Sequence, residues 1–560
     1  MCLVSPISYL REITYKARIM QGGLDVFNAV YMCYNTCMPF KVVLVQITDL
    51  ERYASTLESY SGFASEKGTP LFGKDEALRF LKRSRGSLVT PYPMGPLALA
   101  AFARKRFGSE VELSIIDMLT ERLFVEDLVE RLKRESPDLV GLSSFSAFSG
   151  ALHRAAALIK AELGVPVAAG GPYCSASTER AARDPNIDCV AYGEGELSFV
   201  EMIDRLMHKK DLKGIPGTAY LEGGRVVVVP HSGFIEDLDD LPFPAVDLLR
   251  MEDYFLNLSP LGYLSPWMIL FNSRGCPYRC IYCHSIFGKR TRFMSPKRVF
   301  DEMMFYYKTY GIREFQVWDD IFNLDVGRAI EVCDLIHSAG SPFRLLFEGG
   351  LRADIMRREL VEAMVRAGTC HICYAVESGS PRIQAVIKKY LDLEKAAEAI
   401  NYTADRGILV NTYNMLGLPT ETEEEMYATI EYNVRLRHFS IRLFHAIPQE
   451  GTEFYEMVYP KGRDKGETGM YLDHRHEGAD SALYRKVLRD GLRRFYLDAE
   501  RIERISRMQV PTMSPSEVMR AYAMEFRSVF NILGIRRIYE LPPGVVGPVM
   551  DVFRGGGVAL

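Results

Sequence analysis

Cys276-Pro277-Tyr278-Arg279-Cys280-Ile281-Tyr282-Cys283 decides the reading of this 560-residue chain. The three cysteines, spaced C-x-x-x-C-x-x-C, follow an apolar run from Trp267 to Phe271 that reads as a strand opening into a loop. Three thiolates can hold three irons of a four-iron cluster whose usual full set is four cysteines, and the fourth iron is left open to another ligand. An open position separates a catalytic metal site from a closed structural one. A structural zinc would need a second pair of ligands further along. The available pair, Cys370 and Cys373, sits in an apolar run to Val376 that reads as a strand, where residues three apart face opposite sides.

The whole chain narrows the function classes. Lys+Arg 68 against Asp+Glu 72 gives a net charge of −4, which does not favour a phosphate backbone as partner, so nucleic acid is not expected. No apolar run has membrane-spanning length and no signal-peptide pattern opens the chain, so a cytoplasmic protein is expected. Eleven cysteines, an odd number scattered along the sequence, suit a reducing compartment and metal chemistry better than a disulfide framework. Residues 1–37, with Cys33 and Cys37, read as an N-terminal extension without assigned function.

From Lys41 the pattern alternates strands and helices. Lys41 to Ile47, Val111 to Ile116, Leu139 to Ser143, Val165 to Ala169 and Cys189 to Tyr192 read as strands. Helices are expected at Leu97 to Arg106, Val125 to Glu135 and Ala151 to Leu163, with a polar connection after the first strand. Strands separated by single helices predict a doubly wound, Rossmann-like parallel sheet over residues 38–212, which binds ligands at the carboxyl ends of its strands. Small and polar residues stand there: Ser143, Ser144 and Ser146, then Gly170, Gly171 and Pro172, then Gly193, Glu194, Gly195 and Glu196. Residues 213–262 read as a linker containing a hairpin at Gly223-Gly224 and a Pro-rich acidic run from Asp237 to Ala245 that sets domain orientation.

Residues 263–455 return to strand-helix units, with strands at Trp267 to Phe271, Glu314 to Trp318, Phe343 to Phe347, His371 to Val376, Ile408 to Asn414 and Ser440 to Phe444. Six units predict a partial (β/α)6 barrel, with its chemistry at the carboxyl ends. Those ends are polar: Asp319 and Asp320, Glu348 and Arg352, Glu377 and Ser378, Asn414, and His445. Residues 456–560 read as mostly helical, either a cap over the barrel mouth or an ordinary packing layer, with a loose tail at Gly555 to Gly557.

The cysteine stretch, with Tyr282 before the third Cys, resembles the signature of the radical S-adenosylmethionine (radical SAM) enzymes, and the preceding sheet resembles the cobalamin-binding domain of many of them. The resemblance implies a 4Fe-4S cluster on Cys276, Cys280 and Cys283 and SAM chelated to the open iron. Tyr282, Asp319, Asp320, Arg352, Glu377 and Ser378 would lie around SAM, with Asp319-Asp320 where many members carry Gly-Gly-Glu. Cobalamin would lie against Ser143, Ser144, Ser146, Gly170, Gly171, Pro172, Gly193, Glu194 and Gly195. The D-x-H-x-x-G segment that gives cobalt a histidine elsewhere is absent, since Thr48-Asp49-Leu50-Glu51-Arg52 follows the first strand. Further implications are a flavodoxin or ferredoxin as electron donor, a small-molecule substrate, and methyl transfer to an unactivated carbon through a 5'-deoxyadenosyl radical. Cyclisation or ring rearrangement with the same cofactors, a first domain that binds only substrate or partner, and a non-enzymatic carrier are the alternatives.

Overall fold

The computed structural model describes residues 39–58, 74–83, 91–255, 266–284, 286–460 and 481–558. The extension with Cys33 and Cys37 lies outside them. The first sheet has seven strands, β1 (Phe40–Gln46), β2 (Val111–Asp117), β3 (Leu139–Ser143), β4 (Val167–Gly170), β5 (Cys189–Ala191), β6 (Thr218–Glu222) and β7 (Arg225–Val229). Their order is β2-β1-β3-β4-β5-β6-β7, parallel through β5. The chain order reverses between β1 and β3, and that crevice is where a doubly wound sheet receives its ligand.

Two details differ from the sequence reading. The polar connection after β1 contains helices at Leu50–Glu58 and Lys74–Arg83, whose strong one-sided polarity hides them among charged residues. The Gly223-Gly224 hairpin is present, but its strands extend the first sheet antiparallel from β5.

The second sheet contains β8 (Trp267–Leu270), β11 (Glu314–Val317), β12 (Arg344–Leu351), β13 (Thr369–Glu377), β14 (Leu409–Leu416) and β15 (Ser440–His445), in the order β15-β14-β13-β12-β11-β8 and all parallel. This is the expected six-stranded partial barrel. A short ribbon of β9 (Ser273–Arg274) and β10 (Arg292–Phe293) closes the cysteine loop that follows β8. The outer helices start on local signals. Ser295 caps Pro296–Tyr310 by accepting from the Arg298 N–H, and Gly311 ends that helix at φ +69°. Thr422 and Glu425 form a capping box at the start of Glu423–Val434.

The two sheets share one apolar core: Val42, Leu44 and Leu97 pack into the same cluster as Trp267, Phe315 and Phe347. Tyr92 donates to the Trp267 carbonyl (2.7 Å) and stacks on Tyr254, whose hydroxyl donates to buried Asp117 (2.6 Å). The linker is clasped by both sides, since the Ile235 N–H donates to Glu194 and the Ser295 N–H to Asp239.

Four helices, Ser481–Tyr496, Ala499–Ser506, Pro515–Leu533 and Pro543–Gly556, follow the barrel. They do not cap its mouth. Arg344, at the start of β12, donates to the Thr512 carbonyl (2.9 Å), and Gly407, just before β14, abuts the Gln509 carbonyl, so the segment between these helices meets the amino ends of the strands. The Tyr496 hydroxyl bonds both the N–H and the C=O of Ile441, covering edge strand β15. The tail is packed rather than loose, because a Cβ at Gly556 would sit 2.7 Å from the Arg520 Cα. Among the described residues no helix is long and apolar enough to cross a membrane.

Candidate active site

The cysteine loop is held by backbone hydrogen bonds to strand-end carboxylates. Asp319 accepts from the Asn272 N–H (2.5 Å) and Asp320 from the Gly275 N–H (2.9 Å). Gly275 sits at φ +88°, and a Cβ there would lie 2.4 Å from the Arg290 carbonyl, so only glycine lets the ribbon close. Ile281 anchors the far side: it packs with Ile383, Ile387, Leu418 and Phe454, donates to the Ile387 carbonyl and accepts from the Phe454 N–H. Burial pushes Asp319 up to about 7. The acidic pair therefore shapes the loop through one carboxylate oxygen each.

Cys276 and Cys280 are half-buried and Cys283 is exposed. A hydrogen bond from Cys283, aided by the Lys389 ammonium, holds the Cys280 thiol down at about 6 against its burial, while the same bond pushes Cys283 up. The bond favours a thiolate at Cys280 and a thiol at Cys283. A thiol set already part-way to thiolate suits iron.

Lys389 was not singled out in the sequence. It is 7 % exposed, 3.3 Å from the Tyr282 hydroxyl and 3.3 Å from a Glu377 carboxylate oxygen. It lies between two non-glycine residues at positive φ, Lys388 (+53°) and Tyr390 (+50°), a strained turn of the kind kept where a side chain must be aimed. Glu377 itself stands at φ +70° where the β13–β14 register slips. Tyr282, Glu377 and Lys389 thus meet beside the cysteines, a polar corner able to receive an amino-acid moiety.

The other residues expected around SAM have partners within the protein. Arg352 stacks on the Tyr278 ring (4.1 Å) and gives its donors to the Lys389 carbonyl (2.9 Å), the Tyr390 carbonyl (3.1 Å) and Asp354 (2.9 Å), so it fixes the Lys389 turn and is not free to grip a carboxylate. Ser378 is fully buried with its hydroxyl on Thr429 (3.3 Å). Gly379 lets this turn press against the Glu423–Val434 helix, since a Cβ would meet the Ala428 carbonyl at 2.7 Å. Glu348 is mid-strand rather than at the rim, Asn414 bonds Asn433 on the outer helix (2.9 Å), and His445 packs on Tyr484.

On the first sheet, Ser143, Ser144 and Ser146 lie at the end of β3 beside the crevice, with Phe145 among them 50 % exposed. Apolar exposure at that rim is a signal the sequence reading passed over. Gly171 is at φ +85°, and a Cβ would strike the Ser143 Oγ at 2.7 Å; Gly193, at φ +69°, abuts His231. Gly170, Pro172 and Gly195 stand at the same strand ends, after β4 and β5. Asp49 accepts from the Arg52 N–H and pairs with Arg154, in keeping with the missing histidine. The Glu194 carboxylate is engaged elsewhere. It pairs with Arg292 and Arg274 at the base of the cysteine loop, and Arg274 also pairs with Glu196 (2.5 Å). On the same side Arg180 pairs with Glu450, and Gly451 abuts Ala176. The carboxyl ends of both sheets therefore face each other.

Comparison with known proteins agrees with this geometry. The radical SAM superfamily profile matches residues 272–432 and the B12 binding domain profile residues 87–203. An uncharacterized methyltransferase of Pyrococcus horikoshii is 33% identical over 381 residues, covering 67% of this chain and 80% of that protein. Cytidylyl-2-hydroxyethylphosphonate methyltransferase of Streptomyces wedmorensis is 28% identical over 437 residues, covering 68% and 80%. The structure of OxsB, a cobalamin-dependent S-adenosylmethionine radical enzyme with aqua-cobalamin and S-adenosylmethionine bound, shares the fold with a TM-score of 0.65 at 16% identity, over 94% of this chain and 76% of that one. The cofactors are a 4Fe-4S cluster, S-adenosylmethionine and cobalamin. The chain belongs to the radical SAM enzymes that carry an N-terminal cobalamin-binding domain.

Proposed function

We propose that the protein is a cobalamin-dependent radical SAM methyltransferase that places a methyl group on an unactivated carbon of a small molecule. The observation that carries this reading is the facing of the two carboxyl-end edges, tied at Glu194, Glu196, Arg274 and Arg292, because radical formation and methyl transfer would then take place side by side. The bound cofactors supply a 5'-deoxyadenosyl radical for hydrogen removal and a methyl group for transfer. Cys276, Cys280 and Cys283 would hold the cluster on a loop already set by Asp319, Asp320 and Ile281. Tyr282, Glu377 and Lys389 would orient SAM, Glu377 toward its amine and Lys389 toward its carboxylate. Ser143, Ser144, Ser146, Gly170, Gly171, Pro172, Gly193 and Gly195 would hold the corrinoid, with exposed Phe145 offering apolar surface beside them. The protein's part is positioning and exclusion of water and oxygen. A flavodoxin or ferredoxin would supply the electron.

The test is anaerobic reconstitution with iron, sulfide and methylcobalamin, then incubation with SAM, dithionite and a pool of small metabolites. 5'-Deoxyadenosine together with S-adenosylhomocysteine and a product heavier by one methyl group supports the proposal. Deoxyadenosine with no methylated product transfers it to cyclisation or rearrangement. With the cluster intact, absence of both nucleosides overturns it.

A further inference from the structure

Below the rim, the barrel lumen holds a group of side chains that none of the cofactor sites uses. Glu348 projects from the middle of β12, and His371 and Cys373, two apart on β13, share the lumen face. His371 Nδ1 lies 2.5 Å from Glu348 Oε1, and the Cys373 thiol donates to Glu348 Oε2 at 3.4 Å. One ligand atom from each of the three lies within 4.8 Å of the others. His371 and Cys373 are 3 % and 0 % exposed. Tyr413 closes the group from above, donating to the Glu348 carbonyl (3.0 Å) with its ring against Gly350.

A second, independent feature points to a ligand. Asn411 is in register with Cys373, Ser440 with Asn411, and Gln316 with Leu346, which is itself in register with His371. Register partners on parallel strands share a face, so all three side chains point into this lumen. They are at most 5 % exposed, yet Asn411 Oδ1, Ser440 Oγ and both polar atoms of the Gln316 amide have no partner among the described residues. Each such buried group destabilises the fold unless something satisfies it.

The donor set names the class of ligand. A carboxylate oxygen, an imidazole nitrogen and a thiolate together suit zinc and its first-row neighbours, whereas magnesium and calcium take oxygens. The charges also balance, since Glu348 and an ionised Cys373 offset a divalent ion and the nearby Arg442 is already paired with Glu525. We propose that Glu348, His371 and Cys373 bind a divalent metal ion of the zinc class, with the Asn411 carbonyl oxygen as fourth donor. Binding forms bonds from the ion to Glu348 Oε, His371 Nδ1 and Cys373 Sγ, moves the histidine proton off Nδ1 and displaces the thiol proton to solvent. The ion cross-links β12 and β13 directly beneath the site that Glu377 and Lys389 border.

The test uses the full chain with Cys276, Cys280 and Cys283 all changed to Ala, so that the cluster ligands take no metal, and titrates it with cobalt(II) as an absorbing stand-in for zinc. The expected result is one equivalent bound with an intense tetrahedral spectrum and a thiolate-to-cobalt charge-transfer band. Adding Cys373→Ser removes that band. Loss of a partner that merely orients a ligand weakens metal binding roughly 10–100-fold, so His371→Gln is expected to weaken it by more than about 100-fold. Zinc should raise the thermal midpoint of the triple variant but not of its His371→Gln form, with far-UV circular dichroism confirming that each variant folds. Absence of cobalt uptake by the folded triple variant, or uptake whose band and affinity survive Cys373→Ser, overturns the proposal.

Discussion

Changing Glu194 to Gln separates a domain brace from a corrinoid contact. The carboxylate is 4 % exposed and pairs with Arg292, equally buried, and with Arg274, 13 % exposed, while also accepting from the Ile235 N–H (3.0 Å). The amide keeps the shape and the backbone hydrogen bond but leaves Arg292 without a counter-charge, whereas Arg274 retains Glu196. Removing one partner of a buried pair costs about 3–5 kcal/mol, and the retained bond puts E194Q at about 3 kcal/mol. Urea unfolding of the full chain, followed by far-UV circular dichroism, measures the loss. The double variant Glu194→Leu with Arg292→Met should recover most of it, because apolar residues of similar volume often replace a buried pair without net cost. Corrinoid affinity of folded E194Q should be little changed. A loss below about 1 kcal/mol, the ceiling for an exposed pair, would refute the brace, and a selective loss of corrinoid binding would return Glu194 to the cobalamin site.

Gly379→Ala should cost about 1–3 kcal/mol in the same unfolding assay, since the added methyl would meet the Ala428 carbonyl at 2.7 Å and must push the Glu423–Val434 helix outward. Lys389→Met should raise the titration of the Cys280 thiol above its value of about 6 in the iron-free chain, read by thiolate absorbance, because only the hydrogen bonds from Cys283 and Tyr282 then act against burial. Burial raises Asp319 to about 7 in the folded chain. The folded state therefore holds a proton that the unfolded state releases near its ordinary carboxylate value, and this contribution to stability is complete in acid and is lost as pH rises through about 7. Asp319→Asn should remove that downward slope from a plot of unfolding free energy against pH; an unchanged slope would show that Asp319 is ionised when folded.

The six barrel strands were legible because each is an apolar run of strand length between helical segments, and the cysteine spacing placed the loop at the end of the first. The parallel strands of the first sheet were legible for the same reason. Side-chain duties were less so. Arg352, Ser378 and Glu194 occupy positions beside the site, but which donor each bonds depends on a distant turn, helix or domain: Lys389 and Tyr390, Thr429, and Arg292. Spacing along the chain carries no record of those meetings. Lys389 escaped because it lies in a polar stretch after a helix, where a lysine is unremarkable until the turn that buries it is seen. The triad of Glu348, His371 and Cys373 escaped because strand-end reasoning counted Glu348 as rim, while β12 runs on to Leu351.

The clamp on the cysteine loop bears on wear and renewal. Asp319, Asp320, Gly275 and Ile281 hold the backbone through bonds that involve neither sulfur nor iron. The cradle therefore outlasts its contents. Iron removed by a chelator under reducing conditions is then expected to leave the backbone of the loop in place, ready for reloading. Repeated cycles of chelation and anaerobic rebuilding should return the same circular dichroism spectrum each time, making the metal centre a serviceable part of a durable frame.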